Sequence, residues 1–305
     1  EYRAFLTVRI ADAVRRAHNN LAPARIGWGK ASVPDQVHNR RWHMQPGTVL
    51  KNPFGTEDQV KMNPGMKNPA LLKPAGPTDP EVVFVTLQRT NGQHLALLAD
   101  YSLHYVGGNP GVSADYFGAF ADRIQQLLGA DRQDPPFVGV MANGTSGDVN
   151  NINFRTPRPA KKPYEQMRLV AEDVAKKVGA ALDKASWSDH AELASRYREA
   201  QLAWRKLDPD LLAWSKEKLA GPTPTPGKAD LSYIYAGRVE KLSHAENPAL
   251  APLQVFRIGD IGIGTSPCET FAETGLEFKK RSRSEEHTSE LQSHSDLVCR
   301  LLLEK

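Results

Sequence analysis

Two side chains far apart in the chain are of the types that bind metal ions or move protons. His104 is the last residue of an alternating apolar segment, and Glu269 lies between a predicted strand and a predicted helix. Imidazoles and carboxylates are zinc ligands, and both also serve as general acids and bases. Each also has an ordinary structural role, because strand-end histidines are usually structural and a carboxylate stabilises the first turn of a helix.

A polar, glycine-rich turn is the second feature with chemical potential. Residues 137–141 are apolar and predict a short buried strand, and residues 143–148 follow it directly. Glycines there let the backbone approach a ligand, and successive N–H groups can form an anion-binding nest. The hydroxyls of Thr145 and Ser146 are predicted to lie where a sheet edge meets solvent. An ordinary strand-to-loop turn has the same composition.

A cationic and aromatic segment, residues 36–43, is the third feature. Three basic or imidazole side chains, Arg40, Arg41 and His43, lie beside Trp42. Such a segment forms either one wall of a binding site or a solvated loop, and the residues alone leave both interpretations open.

The spacing of apolar residues predicts the elements that must position these side chains. Residues 82–87 and 95–104 flank Asn91-Gly92, the pair that suits a hairpin turn, and place His104 at a strand end. Other predicted helices cover 2–20, 113–128, 164–182, 209–219 and the residues after Glu269. Other predicted strands cover 25–30, 191–204, 231–239 and 253–265, and residues 191–204 also fit a helix. Residues 51–80 are predicted to be an irregular excursion. Alternating strands and helices predict an α/β fold with a helix-covered sheet.

Composition excludes several classes of protein. The 305 residues are 40% hydrophobic and 24% charged, which is typical of a globular protein. No run of 18 apolar residues predicts a transmembrane segment. The net charge of +4 is spread out, with no basic stripe interleaved with aromatics, so we expect no nucleic-acid partner. Two cysteines do not make a disulfide framework, and the oligomeric state is left open.

The last residues look foreign to the rest of the chain. Residues 283–294 resemble a sequencing-library adapter translated in one reading frame, and the stretch to residue 305 looks like read-through. We therefore expect residues 283–305 to be a non-native tail and residues 1–282 to carry the fold. A polar tail ending in an amphipathic helix is the alternative.

Four ordered segments together resemble one family. They are Asn39-Arg40; Asp100 to His104 with Ser113-Ala114-Asp115 and Gly118; residues 143–153 with Gly147-Asp148-Val149; and residues 255–260 leading to Pro267-Cys268-Glu269. In this order and spacing, the chain resembles the N-terminal catalytic domain of the neutral/alkaline, non-lysosomal ceramidases. The resemblance implies mixed β-sheets flanked by helices, and makes residues 1–282 part of a ceramidase-like hydrolase domain.

The same resemblance implies a chemistry and a site. Family members are zinc amidohydrolases that cut the N-acyl bond of ceramide with a metal-activated water. His104 and Glu269 match zinc ligands, and Arg40 matches an arginine that holds the substrate near the metal. Asn150 stands where ceramidases have a serine important for catalysis, and Thr145 or Ser146 is a candidate for that polar role.

The resemblance also defines what this chain is expected to lack. The family's other zinc ligands, a histidine and a tyrosine, are expected before residue 1 and after the start of the tail. Weak or absent zinc binding and little activity are therefore predicted for the 305 residues themselves. The parent is expected to be extracytoplasmic, secreted or periplasmic, and to act on a lipid or small molecule. A same-fold hydrolase of a non-lipid substrate, which Asn150 favours, and a non-catalytic binding module remain open.

Overall fold

The computed structural model describes residues 2–225, 228, 230–246, 248–284 and 297–299. Its helices are α1 (Tyr2–Asn19), α2 (Asp115–Leu127), α3 (Glu165–Leu182), α4 (Pro209–Ala220), α5 (Leu231–Ser243) and α6 (Ala272–Ser284). Its strands are β1 (Ala24–Ser32), β2 (His38–Asn39), β3 (Arg41–Met44), β4 (Val60–Met62), β5 (Leu71–Pro74), β6 (Glu81–Arg89), β7 (His94–Tyr101), β8 (Val138–Asn143), β9 (Val149–Asn150), β10 (Ser186–Ser188), β11 (Leu193–Leu202), β12 (Ala249–Ile258), β13 (Ile261–Thr265) and β14 (Leu297–Cys299).

Two sheets form the framework. The central sheet has the order β10-β1-β6-β7-β8, and the second sheet has the order β11-β12-β13-β14. Each sheet is mixed, because β7 pairs with β8 and β13 with β14 in parallel, whereas the other neighbours are antiparallel. Two small sheets, β2-β9 and β4-β3-β5, complete the described strands. The fold class predicted from the sequence, α/β with mixed sheets and flanking helices, is confirmed.

Helices α2 and α3 cover one face of the central sheet. Apolar residues of α3 recur at helical spacing toward the sheet: Met167, Val170, Val174 and Val178 are all buried. From the sheet they meet alternate residues such as Phe84, Leu97 and Tyr101, which share one core cluster with them. The period-2 pattern of the strands and the period-3.6 pattern of the helix thus aim their apolar sides at each other.

The other face of the central sheet packs on the second sheet. Trp28 lies opposite Val85 across β1 and β6, and both join Ile26 and Ile261 in a separate buried cluster. Because β6 is covered from both sides, its residues 82–86 are all buried, which explains their continuous β-branched and apolar run. The molecule therefore has three layers: helices, central sheet and second sheet.

One predicted element is wrong. Residues 231–239 were expected to form a strand, and they lie in helix α5. Asp230 caps this helix, since its carboxylate accepts a hydrogen bond from the Tyr233 N–H at 3.2 Å. Ala236 and Val239, three residues apart, are buried, and the Ala236 carbonyl accepts the Ser215 hydroxyl of α4. Packing against α4 therefore overrides the β propensity of the tyrosines and isoleucine.

The remaining predicted elements agree with the structure to within a few residues. The two predicted hairpins form, with Gly92 and Gly259 at positive φ in their turns. Residues 51–80 are mostly irregular but contribute β4 and β5, which pair with β3. The predicted non-native tail lies largely outside the described residues, so it stays a prediction. No described helix is both long and apolar enough to cross a bilayer.

A buried ion cluster ties α6 to the start of the central sheet. Lys279 donates to Asp79 at 2.9 Å and to Glu81 at 3.2 Å, and Lys30 reaches Glu81 from β1 at 3.1 Å. Burial disfavours the ammonium ion, but the two carboxylates outweigh burial and raise the pKa of Lys279 above its usual value. This cluster holds the C-terminal half of α6 in place.

Replacing Lys279 tests how much α6 depends on this cluster. Lys279→Met leaves Asp79 buried without its cation, and such losses typically cost about 3–5 kcal/mol. We expect a fall of that order in the free energy of unfolding, measured by urea denaturation. Lys280→Met, at the exposed neighbouring position of the same helix, is the matched control and should change stability by less than about 0.5 kcal/mol. Equal effects of both variants would contradict the role of the cluster.

Candidate functional site

The candidate site begins where two parallel strands end at one edge of the central sheet. Tyr101 at the end of β7 lies opposite Asn143 at the end of β8. The chain turns beyond each strand, and the Gly144 N–H donates to the Tyr101 carbonyl at 3.0 Å. The hydroxyls of Ser102 and Thr145 lie 3.4 Å apart across these turns. His104 follows Ser102 by two residues, so the segment that carries it borders the polar turn.

Gly147 brings the segment that carries Glu269 onto the same turn. The Gly147 N–H donates to the Thr270 carbonyl at 2.8 Å. A Cβ at position 147 would lie 2.5 Å from the Glu269 carbonyl oxygen, closer than real Cβ atoms approach. Glycine is therefore required by close backbone contact, since its φ is not positive. The contact links residues 122 positions apart (269 − 147).

Arg40 reaches the turn from the opposite side. Its N–H donates to the Asp148 carbonyl at 2.7 Å, continuing the antiparallel pairing of β2 with β9. Its guanidinium donates from Nη2 to the Gly147 carbonyl at 2.7 Å. Nε of the same guanidinium is buried, with no hydrogen-bond partner among the described residues. Arg40 and the Glu269 segment thus both contact Gly147.

Asp148 connects three segments from inside the protein. Its side chain is 2% exposed. One carboxylate oxygen accepts the Asn39 amide at 2.9 Å, and the other accepts the Ala272 N–H at 2.9 Å, at the first residue of α6. An acceptor there satisfies one of the N–H groups that a helix start leaves unpaired, and its negative charge suits the helix dipole.

The two polar candidates for catalysis are both buried. Asn150, 9% exposed, donates to the Asn63 side chain at 3.3 Å and accepts the Ile152 N–H at 3.0 Å. Ser146 is 3% exposed and Thr145 2%, whereas the sequence predicted solvent contact for both hydroxyls. The turn folds inward because α6 covers it: a Cβ on Gly275 would collide with the Thr145 side chain.

His104 is half-buried beside Tyr105. Its Nδ1 lies 3.2 Å from the Tyr105 carbonyl, and the two ring centroids are 4.0 Å apart. Among the described residues, no three His, Cys, Asp or Glu side chains gather in a group that could hold a metal ion. His104 and Glu269 alone fall short of the three or four protein ligands of zinc sites. The described residues therefore do not make a complete zinc site.

Sequence reasoning missed the residues that assemble the site from behind. The Asn39 side chain donates to Asp148 and accepts the Arg41 N–H at 2.9 Å. Its main-chain carbonyl accepts the Trp42 indole N–H at 3.0 Å. Thr270 is 7% exposed, and its main-chain carbonyl accepts the hydrogen bond from the Gly147 N–H. A buried polar cluster carries no periodic signal; only the adjacency of Asn39 to Arg40, and of Thr270 to Glu269, pointed to it.

The fold is similar to that of solved ceramidases. A neutral ceramidase from Pseudomonas aeruginosa is 17% identical, with a TM-score of 0.56, over 90% of this chain and 45% of that one. A ceramidase complexed with C2 is 17% identical, with a TM-score of 0.57, over 88% of this chain and 45% of its own. No protein-family model and no curated protein matches the sequence. The chain thus has a ceramidase-like fold and spans less than half the length of these solved proteins.

Adding one methyl group at Gly147 tests the close contact with the Glu269 segment. Gly147→Ala must push the Glu269–Thr270 backbone away, and overpacking of this kind costs about 1–3 kcal/mol. We expect that loss in the free energy of unfolding. Gly179→Ala in α3, where a Cβ would meet nothing within 4 Å, is the control and should stabilise by about 0.5–1 kcal/mol. A neutral Gly147→Ala would contradict the described contact.

A pH dependence follows from His38, which pairs with Asn150 in the small β2-β9 sheet. Burial first, and the charge of Arg158 second, lower the pKa of His38 below its usual 6.5, against a weaker opposing effect of Asp35. The folded protein prefers the neutral imidazole, so this stability is present above pH 6.5 and is lost as pH falls through the lower folded pKa.

The free energy of unfolding should therefore decrease from pH 6.5 to 5, measured by urea denaturation at each pH. Burial and the charge of Arg25 lower the pKa of His94 in the same way. His38→Gln should flatten the dependence, and the double variant with His94→Gln should flatten it further. If the free energy of unfolding changes with pH by the same slope in the unsubstituted chain and in both variants, these histidines do not cause the pH dependence.

Proposed function

We propose that the natural protein is a hydrolase of the neutral ceramidase-like superfamily that cleaves an amide, or N-acyl, bond. The observation that supports this is the convergence of Arg40 and the Glu269 segment on Gly147, within a ceramidase-like fold. Active sites must hold their functional groups in precise geometry, and this buried contact fixes a cation beside the segment that carries a carboxylate.

In this proposal Arg40 acts on the acyl part of the substrate. The Arg40 main-chain N–H donates to the Asp148 carbonyl, and the guanidinium is held by the hydrogen bond from Nη2 to the Gly147 carbonyl. A held guanidinium offers its remaining N–H groups as a preorganised, planar donor pair. It would stabilise the oxyanion that develops on the amide carbonyl, and would then hold the carboxylate of the released acid.

Zinc remains part of the proposal. His104 and Glu269 would supply two of its ligands, and further ligands would come from parts of the natural protein other than the described residues. Bound zinc would polarise the amide carbonyl and lower the pKa of a water to about 7. Glu269 owes its position to the Gly147 contact, and His104 follows Ser102 beside the same turn.

Asn150 favours a second candidate within the same fold, a hydrolase of a non-lipid substrate. Its amide is already engaged by Asn63 and its oxygen by the Ile152 N–H. It therefore stabilises the turn after β9 and lacks the hydroxyl expected of a ceramidase serine. Ser146 is 3% exposed, which is too little for its hydroxyl to replace that serine without a local rearrangement.

The partner and location follow from the same proposal. The substrate would be a lipid or a small N-acylated molecule, acted on outside the cytoplasm in a secreted or periplasmic setting. A non-catalytic binding module that keeps the fold is the remaining alternative.

Amide hydrolysis is the test of the function. The full natural protein and the 305-residue chain are assayed with fluorescent N-acyl sphingosine and with N-acyl amino acids. We expect the natural protein to cleave an N-acyl substrate, and Arg40→Ala to reduce kcat/KM by about 10²–10³-fold, as loss of an oxyanion donor does. Arg196→Ala, on the exposed strand β11, is the control and should retain full activity. Failure on every N-acyl substrate would favour the binding module.

Zinc binding by the 305-residue chain is predicted to be weak or absent, because it offers two ligands where tight sites use three or four. Isothermal titration with zinc, with elemental analysis after dialysis, measures this directly. The double variant His104→Ala/Glu269→Gln should give the same result as the unsubstituted 305-residue chain, namely zinc binding at or below the detection limit. A stoichiometric, tightly held zinc that the double variant loses would overturn the expectation of an incomplete site.

A further inference from the structure

The main chain just before His104 is held by the hydroxyl of Tyr116. This hydroxyl donates to the Leu103 carbonyl at 2.8 Å, and both residues are completely buried. Leu103 in turn donates its N–H to the carbonyl of Tyr101, the last residue of β7, at 2.8 Å. Burial raises the pKa of the Tyr116 hydroxyl well above its ordinary value, so the hydroxyl stays protonated and remains a donor. The residue before His104 is therefore fixed at both its N–H and its carbonyl.

The main chain just after His104 is held by the carboxylate of Asp115, the first residue of α2. One carboxylate oxygen accepts the Val106 N–H at 2.8 Å, and the other accepts the Gly107 N–H at 3.0 Å. Two successive N–H groups that point at one anion form a nest, the arrangement with which many turns bind anionic ligands. Here the anion belongs to the protein itself, so the loop that follows His104 is closed on Asp115.

Asp115 holds this position at a cost in backbone strain. Its φ is 51°, in the left-handed region that few residues other than glycine adopt, and the residue is only 9% exposed. Two further hydrogen bonds keep it there. The Ser113 hydroxyl accepts the Asp115 N–H at 3.0 Å, and the Asp115 carboxylate accepts the Tyr116 N–H at 2.7 Å. Strained residues persist where surrounding contacts over-determine them, and they concentrate at functional sites.

We propose that Asp115 and Tyr116 are positioning residues that set where the His104 imidazole lies. Only His104 and Tyr105 separate the anchored carbonyl from the first anchored N–H. Both contacts come from consecutive residues of α2, so the packed start of this helix fixes the two sides of His104 together. Functional side chains must be held within about 0.5 Å of their productive position. This inference rests on the proposed function for the role of His104, whereas the two contacts are tested without it.

NMR and amide hydrogen exchange of the 305-residue chain test the contacts without a catalytic readout. Tyr116→Phe removes only the hydroxyl, and Asp115→Asn keeps one acceptor oxygen and a side chain that tolerates positive φ. We expect both variants to shift the His104 ring resonances. Asp115→Asn should also speed exchange of the Val106 and Gly107 amides by about fivefold or more, as the loss of one hydrogen bond does.

Two further variants separate the carboxylate from the backbone strain. Asp115→Gly fits the φ of 51° but offers no acceptor, whereas Asp115→Ala lacks the acceptor and keeps the strain. Both should lose protection of the Val106 amide from exchange. Ser215→Ala is the matched control, because it removes another buried hydroxyl that donates to a main-chain carbonyl, that of Ala236, between α4 and α5. It should leave the His104 resonances and the Val106 exchange rate unchanged.

In the full natural protein, a positioning role predicts a loss of turnover and little change in substrate binding. We expect Tyr116→Phe and Asp115→Asn to lower kcat on an N-acyl substrate by about five- to tenfold, with KM changed by less than about twofold. Asp115→Ala should lower kcat further, so that asparagine partly rescues the alanine variant. Ser215→Ala should keep both kinetic constants.

Three outcomes would overturn the proposal. They are His104 resonances that neither Tyr116→Phe nor Asp115→Asn shifts, shifts of the same size in Ser215→Ala, and full protection of the Val106 amide in Asp115→Gly. The second outcome would assign the shifts to a general loss of stability. If the natural protein cleaves no N-acyl substrate while both variants still shift the His104 resonances, the positioning contacts stand and only the proposed function fails.

Discussion

The carboxylate of Asp148 is the interaction on which the candidate site depends. A buried carboxylate is strongly unfavourable unless hydrogen-bond donors replace the water it has lost. Here the donors are the Asn39 amide and the Ala272 N–H, which belong to segments far apart in the chain. Satisfying one buried charge therefore brings together the strand that precedes Arg40, the turn after β8 and the start of α6. Arg40 follows Asn39 directly and Glu269 precedes Ala272 by three residues, so both segments are positioned with those donors.

Helix α6 is held by charge at two points along its length. Asp148 accepts an N–H at its first residue, and Lys279, in its C-terminal half, binds Asp79 and Glu81. Between these points, Gly275 packs directly on Thr145, and Gly264 of β13 lies under the Phe278 ring. The helix has little freedom to slide, so the Glu269 segment that leads into it is fixed against Gly147. Polar contacts here supply position, while the apolar layers on both faces of β6 supply most of the stability.

Local patterns predicted much of the fold and part of the site. The Asn91-Gly92 turn, the apolar spacing of α3 and the Asp208-Pro209 start of α4 each depend on neighbours in sequence, and each was predicted correctly. Residues 231–239 were predicted wrongly because their β propensity is weaker than packing on α4 and capping by Asp230. The inward folding of Thr145 was also unforeseen, since it results from packing against Gly275 of α6, 130 residues later (275 − 145).

The sequence by itself determined the α/β class and the ceramidase-like order of segments that contain Arg40, Asn150 and Glu269. It placed His104 at the end of a strand, whereas β7 ends three residues earlier, at Tyr101. Only the tertiary structure decided which of these residues meet. It brings Arg40 and the Glu269 backbone together on Gly147 and engages Asn150 in its own turn. The physical reason is that periodicity records which face of an element is apolar, whereas contacts between distant polar residues are set by the need to satisfy buried donors and acceptors, and leave no regular spacing.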